Sequence, residues 1–142
     1  MKVRIKRIDK SLPLPQYQTE GAVAFDMYSR IDAEVQPNEI KILPSNFIIE
    51  VPSGCALIMA SRSSLSVKKG LRLTNAIGVI DQDYHGPEDE IGIAVYNFTA
   101  NSVEVKKGER IAQGFIVPIA KAEFDEAEEI KKESRGGFGS TG

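Results

Sequence analysis

At 142 residues the chain has the length of one domain and enough material to bury its own core, so it needs no disulfide or metal staple. Its 42% hydrophobic and 27% charged residues exclude a disordered or fibrous protein. Eighteen basic against twenty acidic residues, a net charge of −2, exclude a global field that recruits nucleic acid or an anionic membrane, and neither is an expected partner.

The chain opens Lys2-Val3-Arg4-Ile5-Lys6-Arg7, and this alternation puts Val3 and Ile5 on one face of a half-buried strand. No apolar run suits a signal peptide or a membrane span, so the expected address is the cytoplasm, for a cellular or a viral protein. Proline and glycine then recur too often between Pro13 and Pro118 for a long helix. Short strands are expected at 40–43, 47–51, 56–60, 91–98, 103–105 and 114–119, which makes the protein all-β, a sandwich, jelly roll or barrel. Asp26, inside the apolar run Phe25-Asp26-Met27, reads as a hydrogen-bonded turn acid. Residues 61–69 predict about two helical turns ending at Gly70 as a left-handed cap, with Arg62, Ser63 and the first free N–H groups offered to an anion.

Ile80-Asp81-Gln82-Asp83-Tyr84-His85-Gly86 places carboxylates and an aromatic ring at the end of an apolar strand, as a base aimed at water or as a polar hairpin. Asn97-Phe98-Thr99 matches a glycosylation sequon, idle without secretion. Gly108 to Gln113 is a turn entering a strand, with Arg110 a candidate structural ion-pair partner. The single Cys55 and single His85 exclude an internal disulfide, a cysteine-based zinc cluster and most histidine-rich metal sites. From 122 to 133 six carboxylates surround only Phe124 and Ile130 as large apolar residues. Residues 135–142 hold four glycines, and such a segment does not order by itself. It is either a functionless end or a lid in which Arg135, Ser140 and Thr141 meet phosphate and Phe138 stacks.

In order and spacing, residues 24–29, 61–70, 78–86, 108–113 and 135–142 resemble the five motifs of the trimeric dUTPases, nearly the whole chain. Gly-Val-Ile-Asp-x-Asp-Tyr-x-Gly and Gly-Gly-Phe-Gly-Ser-Thr-Gly are the most specific strings. The resemblance implies a distorted jelly roll over 1–134, a lid at 135–142, and a homotrimer with active sites at subunit interfaces. The implied reaction is hydrolysis of dUTP to dUMP and pyrophosphate with Mg2+. Asp81 would be the general base and Gln113 would assist it by contacting water and phosphate. Asp26 would hold the magnesium through water. Tyr84 would lie under the deoxyribose, and Asn75, Gly78 and Ile80 would read the uracil from the hairpin. Arg62, Ser63 and Ser64 would bind phosphates. Arg135, Gly139, Ser140 and Thr141 would close on the γ-phosphate while Phe138 stacks on the base.

Three positions depart from the pattern: Pro87-Glu88-Asp89 lengthens the hairpin loop, Ser64 replaces a glycine, and the spacing after Arg135 is short. Two alternatives compete with hydrolysis. A dCTP deaminase shares the fold and the Arg62-Ser63-Ser64-Leu65 string, but its chemistry needs a glutamate where Ala94 stands. A catalytically idle module of the same fold would serve regulation or interaction, and the presence of Asp81 and the tail speaks against it.

Overall fold

A computed structural model describes residues 1–131, 133, 134 and 136. Eleven strands account for nearly all its regular structure: β1 (Arg4–Arg7), β2 (Phe25–Tyr28), β3 (Ala33–Val35), β4 (Ile40–Pro44), β5 (Phe47–Glu50), β6 (Cys55–Ser61), β7 (Leu71–Leu73), β8 (Ile77–Ile80), β9 (Gly92–Asn97), β10 (Val103–Val105) and β11 (Arg110–Pro118). All pairings are antiparallel. A four-stranded sheet runs β2-β11-β6-β8, a three-stranded sheet runs β4-β9-β7, and β1-β5 and β10-β3 form two-stranded ribbons. The result is the expected all-β, jelly-roll-like fold, and no helix among the described residues is long and apolar enough to cross a membrane.

Period-2 burial builds the core. On β9, Ile93, Val95 and Asn97 are buried while Gly92, Ala94 and Tyr96 are more open, and Ile93 and Val95 join Leu43, Leu71 and Leu73 of the neighbouring strands. Phe25, Met27, Leu57, Met59 and Ile80 of the four-stranded sheet enter the same cluster. Gly114 of β11 lies beneath Phe25: a Cβ there would sit 2.8 Å from the ring and 3.2 Å from Leu57 Cδ1, so only glycine fits. Asn97 is fully buried and its amide ties β3 to the loop after β9, with Nδ2 donating to the Val35 carbonyl at 2.9 Å and to the Asn101 carbonyl at 2.8 Å.

Two expectations are corrected. The helical segment expected within 61–69 begins two residues later than expected: β6 continues through Ser61, and the helix covers 63–69, α-type at Ser63 and Ser64 and π-type over Leu65–Lys69, without a side-chain cap. Gly70 does close it in the left-handed region at φ 68°, and a side chain there would strike Thr99. Asp26 is a strand residue rather than a turn acid, because Phe25 and Met27 both face the core. Strands β3 and β7, three residues each, are too short to show a period. Of the expected lid, Arg135, Phe138, Gly139, Ser140 and Thr141 lie outside the described residues.

Candidate active site

Register places the site residues on the outer face of the four-stranded sheet. Asp26 on β2 stands opposite Gln113 on β11, Gln113 opposite Ala60 on β6, and Ala60 opposite Ile77 on β8. The short segment leaving β6 then returns Arg62 to Asp26. The buried Asp26 carboxylate is held on both sides: Arg62 Nε lies 3.0 Å from Oδ1 and Arg110 Nη1 lies 3.1 Å from Oδ2. Arg62 Nη1 also donates to the Arg110 carbonyl at 3.3 Å, and Gln113 Nε2 donates to the Ser61 carbonyl at 3.0 Å. Arg110 therefore is the structural ion-pair partner expected from the sequence. Burial, and then the Asp26 charge, push the neighbouring Tyr28 hydroxyl above its ordinary range. Two guanidinium groups around one carboxylate leave a net positive corner, which suits phosphate oxygens. Ser63 is exposed and Ser64 half-buried at the mouth of this corner, and the Ser64 side chain makes no cap.

The third segment forms a separate half. Asn75, Gly78, Ile80, Asp81 and Tyr84, together with Met59, Val79, Ile91 and Gly92, line a cavity of about 250 Å³. Asp81 is exposed, and its carboxylate has no ion-pair partner among the described residues. The Tyr84 ring is partly exposed, and its hydroxyl donates to the Glu90 carbonyl at 3.4 Å. His85 is an exposed loop residue. The sequence did not point to Met59, Ile91 or Gly92 as cavity walls. Met59 reaches the cavity only because it pairs with Gly78 across β6 and β8, a long-range register with no local signature.

One chain does not join these halves. From Asp26 to the level of β8 is three strand spacings, about 14 Å, and from Ile77 to Asp81 is four residues of strand, about 13 Å, or roughly 20 Å in all. Between them the same sheet face carries Ile58, Ile77, Val79, Phe115 and Val117, none of them fully buried.

Known proteins were compared with this chain. The family model described as dUTPase matches residues 10–142. A deoxyuridine 5'-triphosphate nucleotidohydrolase of Nautilia profundicola is 39% identical over 144 residues, covering 100% of this chain and 99% of the relative. One of Desulfitobacterium hafniense is 41% identical over 147 residues, covering 100% and 95%. Among solved structures, the Staphylococcus bacteriophage 80alpha dUTPase with dUPNHPP superposes with a TM-score of 0.87 at 27% identity, covering 99% of this chain and 98% of that one. The dUTPase of Streptococcus mutans gives 0.78 at 29% identity, covering 84% and 98%. With the family model spanning nearly the whole chain and relatives near 40% identical end to end, the chain belongs to the dUTPase family.

Proposed function

We propose that this protein hydrolyses dUTP to dUMP and pyrophosphate. The observation that carries the reading is an exposed carboxylate, Asp81, on the rim of a cavity walled by Tyr84, Asn75 and the β8 backbone, in a chain of this family. The cavity takes the uracil and the sugar. Backbone groups around Gly78 and Ile80, with Asn75, read the polar edge of the base, and the Tyr84 ring fills the space a 2′-hydroxyl would need. Asp81 then stands beside the α-phosphorus, where it orients a water molecule and accepts its proton as the P–O bond forms and pyrophosphate leaves. Arg62, Ser63 and Ser64 bind phosphate oxygens, and Gln113 helps to place the water. Arg135, Gly139, Ser140 and Thr141 close over the γ-phosphate, with Phe138 stacked on the base.

The donor set fits magnesium of a particular kind. Asp26 is a single buried carboxylate whose oxygens already accept from arginine, and no group of three His, Cys, Asp or Glu side chains gathers among the described residues. That suits an ion which keeps its waters and is held chiefly by substrate phosphates, with Asp26 accepting from those waters. Such an ion neutralises the triphosphate charge.

Division of the site across roughly 20 Å supports a homotrimer in which Asp81 of one copy meets the Asp26 corner of another. The apolar strip of Ile58, Ile77, Val79, Phe115 and Val117 is the surface such an assembly would cover. One assay tests the activity: dUTP and dCTP are each supplied with Mg2+ and both products are measured. Pyrophosphate from dUTP is expected. Ammonia from dCTP would replace this reading with the deaminase, and no product from either would leave an idle module.

A further inference from the structure

Glu90 lies where the long hairpin loop re-enters the fold, immediately before Ile91 and Gly92, both walls of the nucleotide cavity. Its carboxylate accepts three hydrogen bonds from two distant parts of the chain. Arg30 grips it as a fork, Nε to Oε1 and Nη2 to Oε2, both 2.8 Å, and the Asn46 N–H donates to Oε1 at 2.7 Å. Both partners are themselves fixed. The Arg30 N–H donates to the Pro44 carbonyl at 2.8 Å. Asn46 is fully buried with a left-handed φ of 77°, and its side chain pairs with the Asp9 backbone, accepting from N–H at 2.6 Å and donating to the carbonyl at 3.0 Å. On its other side the Glu90 peptide offers its carbonyl to the Tyr84 hydroxyl.

A largely desolvated ion pair is weak evidence for stability, because the cost of removing both charges from water offsets their attraction. What a bidentate fork does supply is position. Position is what this loop lacks. Its tip is held mainly by its own bonds, such as the Gly86 N–H donating to Asp89 Oδ2 at 2.6 Å; outside itself it has one long contact, from Lys6 Nζ to the Pro87 carbonyl at 3.5 Å, and Pro87 and Glu88 are exposed. Among the described residues the Tyr84 hydroxyl has one hydrogen bond, to the Glu90 carbonyl at 3.4 Å.

We propose that the Arg30–Glu90 fork is a positioning device for sugar selection: it fixes the peptide on which the Tyr84 hydroxyl rests, and so holds the ring where it leaves no room for a 2′-hydroxyl. This rests on reading Tyr84 as the floor beneath the deoxyribose. Arg30 and Glu90 touch no substrate in this scheme and act through Tyr84.

The test is the ratio of kcat/KM for dUTP to that for UTP, measured on the full-length protein, with thermal melts recorded alongside. Arg30→Lys keeps the charge but not the fork, and Glu90→Gln keeps the shape but loses one paired oxygen. Each is expected to lower the ratio at least about tenfold. Tyr84→Phe, which removes only the hydroxyl, should lower it comparably, and Glu90→Gln added to Tyr84→Phe should lower it no further. A role confined to stability would move the melting temperature and leave the ratio alone. A ratio within about twofold of wild type in either folded fork variant, while Tyr84→Ala abolishes discrimination, overturns the proposal and spares the Tyr84 reading. An unchanged ratio in Tyr84→Ala removes that reading and the fork's role with it. Should neither fork variant fold, Tyr84→Phe decides, since an unchanged ratio there means the hydroxyl's bond to Glu90 carries no selectivity.

Discussion

Asp81→Asn and Asp26→Asn each disable a different half of the proposed site, and mixing them measures how the halves are shared. Asp81 is exposed and without an ion pair among the described residues, so its substitution changes stability by no more than about 0.5 kcal/mol. Loss of the general base lowers kcat by roughly 10²- to 10⁴-fold. Asp26→Asn keeps one acceptor for one arginine and strands the other without a counter-charge. The side chains of Arg62 and Arg110 are 28% and 41% exposed, so water takes up part of that loss. The cost is then about 1–2 kcal/mol rather than the 3–5 kcal/mol of a fully buried pair. Both variants should fold, assemble and be nearly inactive alone. If each working site takes its hairpin from one copy and its arginine-held carboxylate from another, random assembly of equal amounts gives both intact halves to about one site in four. Co-expressed variants should therefore release pyrophosphate from dUTP at about a quarter of the wild-type rate, with a tag on one variant pulling down the other to verify mixing. Mixtures as inactive as the separate variants, despite verified co-assembly, would refute the division of the site between chains.

Gly114→Ala places a Cβ 2.8 Å from the Phe25 ring, and overpacking of that kind should cost about 1–3 kcal/mol in a thermal or denaturant melt; an unshifted transition would show that the ring yields freely. A chain ending at Ser134 should remain folded and oligomeric by circular dichroism and light scattering yet lose kcat as well as affinity for dUTP. Hydrolysis at the full-length rate would make residues 135–142 dispensable. A hydrogen bond from Lys107, at 2.6 Å, and then those from Ser11, hold the Asp9 carboxyl well below the usual carboxylate range. A depressed folded-state pKa gives stability that is present above about pH 4 and lost as pH falls further, so Lys107→Met should flatten the acid side of the stability profile and leave its alkaline side unchanged. Equal acid sensitivity in melts of the two proteins from pH 7 to pH 3 would contradict this.

Strands such as Gly92–Asn97 and Cys55–Ser61 were legible as short apolar runs bounded by turn-forming residues, a signal that needs no partner to be seen. Asp26 was harder to place. Its neighbours Phe25 and Met27 carry the period, but its buried charge makes sense only beside Arg62 and Arg110, which lie 36 and 84 residues away. In the segment after Ser61 the Ser, Lys and following Gly did mark a helix closed by Gly70, but the β6–β11 ladder claims the chain as far as Ser61 and so delays its start to Ser63. Resemblance to the family's motifs pointed to Asp81, Tyr84, Asn75 and Gln113 as chemistry-bearing. It did not reveal that Asp81 follows the edge strand β8 while Gln113 sits on the interior strand β11, two strands away, since that follows from register. Nothing in the sequence paired Arg30 with Glu90, two charges 60 positions apart.

The buried Asn97 has a consequence for how this chain is produced. Its amide nitrogen spends both hydrogens on the Val35 and Asn101 carbonyls, and Thr99 returns bonds from its N–H and hydroxyl to Asn97 Oδ1 at 2.9 and 2.8 Å. The very residues that make Asn97-Phe98-Thr99 a glycosylation acceptor are those that close this loop. In a secretory lumen the sugar is transferred while the chain is still unfolded, so nothing in the native structure would shield the asparagine. A glycan on Nδ2 would replace one hydrogen and put a bulky polar group where the fold leaves no exposed surface. Secreted expression in a eukaryotic host should therefore yield glycosylated chains that cannot fold, and Asn97 confines efficient production to compartments without oligosaccharide transfer.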